Sequence, residues 1–283
     1  MGEMELISFM EMKVMTKFMI IVVLSTTFLV GNAVADNTIL VQSTTSTKNS
    51  GLYDHILPLV KQDTGVTVNI VAVGTGAAIK NAMNCDGDVL LVHSREREDQ
   101  FVASGYSKKR YDVMYNDFII VGPNDDPAGI AKMNDAVAAL KKIAATKSKF
   151  ASRGDDSGTH GKERSLWKHT GVNQDASSGS WYLETGSGMG ATLNTAVGTE
   201  AYTLSDRSSW EVHANKSDFK IMVQGDKRLF NPYGVMLIDP VRCPSVNSNG
   251  GKAFIDWLIS KKGQKAIARF KVAGKQMFFP NAQ

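Results

Sequence analysis

Tyr111–Gly122 reads YDVMYNDFIIVG. Twelve residues rich in aromatic and β-branched types are about twice the length of an ordinary strand. A strand that long can run out of one domain and into another. A second extended run, LFNPYGVMLI, lies at 229–238. Two such crossings imply two lobes joined by two strands. Residues 36–116 together with 232–283 are expected to build the first, discontinuous lobe, and 117–231 the second. A pair of this kind closes around a ligand by bending at its hinge.

Outside the crossings, strand-like and helix-like runs alternate, which argues an α/β fold with parallel pairing. Strands are expected at 38–42, 67–73 and 88–92, and helices at 52–62, 74–82 and 95–103. Pro58 weakens the first of these helices without removing it. Past the first crossing come a helix at 135–145, a strand near Phe150 and a helix at 162–168. A strand at 180–183, a Gly-rich turn into a helix ending near 197, and strands at 199–204 and 219–223 follow. Helical segments at 252–260 and 263–270 end the chain.

The first 35 residues read as an export leader. Lys13 and Lys17 precede an apolar run at 18–30 that is too short to span a bilayer, and Ala33-Val34-Ala35 offers a cleavage site before Asp36. Glu3, Glu5 and Glu11 are unusual for a leader and suggest that translation starts at Met12. The competing reading is a buried N-terminal helix. No cysteine follows the cleavage site, so no lipid anchor is expected, and the mature protein should be exported and soluble.

Without Lys13, Lys17 and the three glutamates, the 32 basic and 28 acidic residues of the chain become 30 and 25, a net +5. There are no long Lys/Arg runs, so nucleic acid is not an expected partner. Cys85 and Cys243 could form one disulfide in an oxidising compartment or stand as two buried thiols; the sequence leaves both open. No His/Cys group has zinc spacing, and neither a metal site nor a cofactor is expected.

Four loops have unusual composition. They are Ser43-Thr44-Thr45-Ser46-Thr47, Val73-Gly74-Thr75-Gly76, Arg153–Thr159 (RGDDSGT), and Thr185-Gly186-Ser187-Gly188-Met189-Gly190. Each follows a strand and precedes a helix, so each sits at the carboxyl end of its strand, where open α/β sheets bind ligands. Taken singly, these are ordinary turn and capping residues. Together, two from each lobe, they form an anion cradle: glycines admit backbone N–H groups, Ser157 and Thr159 add hydroxyls, and Arg153 adds a full charge.

Other chemistries fit less well. Neither G-x-S-x-G nor G-x-x-x-x-G-K-[ST] is present. Gly186-Ser187-Gly188-Met189-Gly190-Ala191 with Asp206 is a weak dinucleotide match. A phosphohydrolase would use Asp155 or Asp156 with His160. The Arg153-Gly154-Asp155 tripeptide is discounted as an adhesion signal.

The set STTST, VGTG, SRGDDSGTH and TGSGMGATL, in this order behind a leader, resembles the TupA-type tungstate-binding proteins. The segments DVLLVHSREREDQFVASGY and YNDFIIVGPNDDPAGI extend the resemblance over about 37–280. It implies a two-lobed periplasmic binding protein of type II-like fold, serving an ABC transporter permease as a monomer with no enzymatic activity. The ligand would be tungstate, with molybdate or phosphate as the rivals. Contacts would come from Thr44, Ser46, Gly74, Thr75, Arg153, Thr159, Ser187, Gly188 and Met189, supported by Ser43, Thr45, Asp155 and Ser157. The family's first loop is closer to T-T-T-S, which leaves the register of donors open across Ser43 to Ser46. Asp155 is decisive for the ligand. Facing the anion it would accept the proton of a phosphate, whereas bracing Arg153 it would favour an unprotonated anion.

Overall fold

The computed structural model describes residues 37–282; the expected export leader lies outside them. The chain enters the sheet at β1 (Thr38–Thr44). Its parallel neighbours are β2 (Thr67–Val73) and β3 (Val89–Val92). All four residues of β3 are buried, as expected for a strand covered on both faces.

β4 (Tyr111–Gly122) carries the architecture. Its first part, Tyr111 to Asp117, pairs antiparallel with β9 (Phe230–Leu237). Its second part, Phe118 to Val121, pairs with β7 (Tyr202–Asp206), and its end pairs with β8 (Lys220–Val223). β7 continues in parallel to β5 (Phe150–Ser152) and then β6 (Tyr182–Glu184). One strand therefore belongs to two sheet halves, as its length predicts. The second crossing differs from expectation. Among the described residues β9 pairs only with β3 and the first part of β4, so the chain returns through the short turn Lys227–Leu229 just before it.

Apolar side chains separate along the same line. Ile39, Val41, Leu91, Tyr233, Phe254 and Phe278 meet in one core, and Phe118, Leu140, Phe150, Trp167, Tyr182 and Leu229 in another. The helices are α1 (Thr45–Asn49), α2 (Leu52–Thr64), α3 (Thr75–Met83), α4 (Arg95–Ala103) and α5 (Ala136–Thr146). They continue with α6 (Gly158–Thr170), α7 (Met189–Thr199), α8 (Arg207–Val212), α9 (Ser248–Ile259) and α10 (Lys261–Arg269). Pro58 sits on the exposed side of α2, which continues through it to a left-handed Gly65 cap. Sequence reading missed α1 and α8, because five and six residues give too little periodicity to register. The short strands β10 (Lys271–Val272), β11 (Lys275–Gln276) and β12 (Phe279–Pro280) were missed for the same reason.

Cys85 and Cys243 are bonded, with Cα atoms 5.3 Å apart. This closes the question left open by the sequence. The bridge joins the end of α3 to the segment after β9, beside the buried side chains of Phe101, Met236 and Ile238.

Glu163, on α6, is fully buried and holds the second half together. It accepts from Ser152 Oγ of β5 at 2.8 Å, from Tyr182 OH of β6 at 2.7 Å and from Trp167 Nε1 at 3.2 Å. Burial outweighs these three donors and pushes its carboxyl from 4.5 up to about 7. The unfolded chain releases this proton near 4.5, so the group favours folding most below that value. Its contribution falls as pH rises to about 7, by an amount on the order of 3 kcal/mol. Buried Glu98 is raised in the same way. Glu163→Gln should therefore remove about half of the decline in melting temperature that two such carboxyls impose between pH 5 and 7.5. A pH profile of thermal unfolding parallel to the wild type's would show that Glu163 is ionised in the fold.

Candidate functional site

Each of the four loops ends at a helix N-terminus. Thr44 caps α1, Gly74 precedes α3, Ser157 caps α6 and Gly188 precedes α7. The last three helices run nine to thirteen residues, long enough to present aligned N–H groups and a partial positive charge.

Cross-contacts tie the loops together. Gly158 N–H donates to Thr75 Oγ1 at 2.9 Å, joining the α6 and α3 termini. A Cβ on Gly158 would lie 2.9 Å from that oxygen and 3.1 Å from His93, so only glycine permits this approach. Ser187 N–H donates to the Arg153 carbonyl at 3.2 Å, and Arg153 Nε donates to the Ser187 carbonyl at 3.3 Å. Thr45, Ser46, Gly188, Met189 and Ser209 line one cavity of about 380 Å³, which brings α1, α7 and α8 together.

Arg153 is only 3% exposed. Its Nη2 donates to Asp155 Oδ2 at 2.5 Å, and the other carboxylate oxygen accepts from Ser157 N–H at 3.2 Å. Gly154 lies at φ +59 in the tight turn that allows this fold-back. Asp155 therefore braces Arg153, and both of its oxygens are engaged. Asp156 pairs with Arg97 on α4. With both carboxylates so committed, neither is free to work with His160. The His160 Nδ1 accepts from Asp156 N–H at 3.1 Å, and burial holds the ring's pKa below its ordinary value. The buried Arg153 also removes any adhesion role for the tripeptide.

The hydroxyls divide into two groups. Ser43 Oγ donates to the Leu91 carbonyl at 2.8 Å and contacts Tyr53 OH, so it supports β1 from inside the core. Thr44 Oγ1 lies 2.7 Å from Thr47 Oγ1 and 3.2 Å from Ser46 Oγ. Ser157 Oγ accepts from His160 N–H at 3.1 Å. Thr159 Oγ1 is buried and has no protein partner. An unpartnered donor is costly in an interior and is what an anion site leaves open.

Sequence reading missed His93, Asn231 and Asn116. His93 Nε2 lies 3.2 Å from Ser46 Oγ and Nδ1 lies 3.0 Å from Asn231 Oδ1, while Asn231 Nδ2 donates to Asn116 Oδ1 at 2.6 Å. The ring stacks on Tyr233 with centroids 4.8 Å apart. Buried Glu98 steadies this turn by accepting from Ser94 N–H at 2.6 Å and from Arg110 Nε at 2.5 Å. One signal was available: His93 directly follows the apolar strand β3, at the same carboxyl end as the four loops. Asp206 is not the ribose ligand of the dinucleotide reading. It is fully buried at the head of α8, accepting from Ser209 N–H at 3.0 Å and from Ser208 Oγ at 2.5 Å, with Oδ2 left unpartnered.

Residues 31–262 match the model of the PBP superfamily domain. Over 252 residues the chain is 44% identical to the tungstate-binding protein TupA of Peptoclostridium acidaminophilum, covering 88% of this chain and 87% of that protein. The chain belongs to the TupA-type family. A solved TupA, the tungstate-binding protein of Desulfovibrio alaskensis G20, is 43% identical, with a TM-score of 0.76 over 87% of this chain and 99% of its own. The structure of a tungstate ABC transporter protein from Geobacter sulfurreducens is 45% identical, with a TM-score of 0.75 over 82% and 98%. These TupA-type relatives are named as binding and transporter components, not as enzymes. The two-lobed α/β architecture expected from the crossings is that of the family.

Proposed function

We propose that this chain captures tungstate in the cleft between its halves and delivers it to an ABC transporter permease. The observation that carries this reading is Arg153, buried between the starts of α6 and α7 with its Asp155 partner turned onto it rather than outward. Residues 36–116 and 232–283 act as one lobe and 117–231 as the other. Donors from Thr44, Ser46, Thr75, Thr159 and Ser187, with backbone N–H groups at Gly74, Gly188 and Met189, replace the anion's hydration shell. No covalent step occurs. The bond from Gly158 to Thr75 and the ion pairs Arg97–Asp156 and Lys275–Glu211 join the two halves in a closed arrangement. The leader, cleaved after Ala35, places a monomer in the periplasm. No helix among the described residues is long and apolar enough to cross a membrane.

Both oxygens of Asp155 are occupied, which favours a fully deprotonated tetrahedral anion. Molybdate, nearly equal to tungstate in size and charge, is expected to bind as well. A second reading rests on Asp206, whose unpartnered Oδ2 would suit a proton-bearing oxyanion such as phosphate. Isothermal titration with tungstate, molybdate, sulfate and phosphate separates the two. Saturable one-to-one heat with tungstate is expected, and heat with phosphate but none with tungstate would reverse the assignment.

A further inference from the structure

The hydrogen-bond chain through His93 has a direction. Asn231 Nδ2 is used on Asn116, so Asn231 turns its Oδ1 toward the imidazole. An acceptor there requires a proton on His93 Nδ1. A neutral ring then has only a lone pair at Nε2, and Ser46 Oγ, 3.2 Å away, must donate to it. The Ser46 proton is consequently committed to His93, and Ser46 has only lone pairs left for a ligand. A deprotonated oxyanion needs donors, so this arrangement is wrong for it.

The charges point the same way. Arg153 is neutralised by Asp155, and the buried Asp206 adds a second carboxylate that acts on His93. Lys162 also acts on the ring, but its ammonium is held by the carbonyls of Arg228 and Phe230. The cavity that His93 lines also holds Glu96, Lys162 and Arg95, the last paired with Asp99. Tyr233 and Phe118 face the ring with aromatic surfaces. Beyond the partial charges of the helix N-termini, a dianion entering this site meets no excess of cationic over carboxylate side chains around His93.

We propose that His93 takes up a proton from solvent when the anion binds. With both nitrogens protonated, Nε2–H donates to Ser46 Oγ, and the Ser46 hydroxyl is released to donate to the anion. His93 is thus a positioning residue that sets the polarity of Ser46. The inference rests on the tungstate reading above. Without anion, burial holds the ring's pKa below 6.5, aided by Arg153 and Lys162 and opposed by Asp206 and Asn231. A dianion beside it raises that value. Affinity should therefore increase as pH falls between the free and bound values, by up to about tenfold per unit for a full proton.

The experiment is titration of the intact protein with sodium tungstate at pH 7.5 in HEPES and in Tris, whose ionisation heats differ widely. The observed heats should differ by an amount equal to uptake of roughly half to one proton per anion. His93→Gln, which offers Ser46 a permanent amide donor, should abolish both this difference and the pH dependence of affinity. Equal heats in the two buffers overturn the proposal. So does undiminished uptake in the variant, which would place the proton on another group. Should the variant fail to fold, nitrogen NMR of histidine-labelled wild type must show His93 doubly protonated only with tungstate. Absence of any tungstate binding would instead defeat the functional reading, and this inference with it.

Discussion

Arg153→Ala is expected to weaken tungstate binding by about 2–5 kcal/mol, roughly thirtyfold to several thousandfold. The loss has two parts. The buried cation disappears, and Asp155 is left as an unpaired carboxylate at the mouth of the anion cradle. The second part distinguishes this site from an exposed arginine, whose removal would cost far less. Arg153→Ala combined with Asp155→Ala should therefore bind better than Arg153→Ala alone. Arg153→Lys should rescue poorly, because a single ammonium cannot serve Asp155, the Ser187 carbonyl and an anion with the geometry of a guanidinium. Isothermal titration of the four proteins tests this. Affinity within threefold of wild type in Arg153→Ala would show that the arginine only holds its loop.

Removing the disulfide should have the largest effect on stability. Cys85 and Cys243 are 158 residues apart in sequence. A cross-link over so long a loop restrains the unfolded chain strongly, by about 5 kcal/mol in the chain-entropy account. Cys85→Ser with Cys243→Ser is thus expected to lower the melting temperature by roughly 10–15 °C for a domain of this size. The serine pair also places hydroxyls where Cys243 is fully buried, which adds to the loss. Tungstate affinity should change little at temperatures where the variant is folded, since Cys85 lies at the opposite end of α3 from Gly74 and Thr75. Thermal unfolding with and without reductant, alongside the variant, tests the prediction. A shift below about 3 °C would mean that the surrounding core of Phe101, Met236 and Ile238 restrains the same loop without the bond.

Much of this was legible in the chain. The length of Tyr111–Gly122 exceeded what one sheet half could use, and the strand does serve two. Gly/Ser/Thr turns at strand ends marked the loops because capping and close backbone approach demand those residues. The remainder depended on contacts between distant segments. Whether Asp155 faced outward or folded back onto Arg153 turns on the left-handed turn at Gly154, which no local pattern specifies. Ser43 and Ser46 differ by three positions in one hydroxyl-rich run, yet one supports the core and the other meets His93. His93, Asn231 and Asn116 come from three segments far apart in the chain, so their alignment exists only after the sheet has formed. Asp206 looked like a nucleotide contact by spacing alone, but the short helix that it caps was below the reach of periodicity.

β4 also has a consequence for dissecting the molecule. Cut at the boundary between its two pairings, between Asp117 and Phe118, either fragment would carry half a strand with its partner rows exposed. Neither half can be expressed as a clean module, and the middle segment produced alone should self-associate through that open edge. Grafting a new cradle onto this scaffold therefore means exchanging loops at the carboxyl ends of the strands and leaving the shared strand whole.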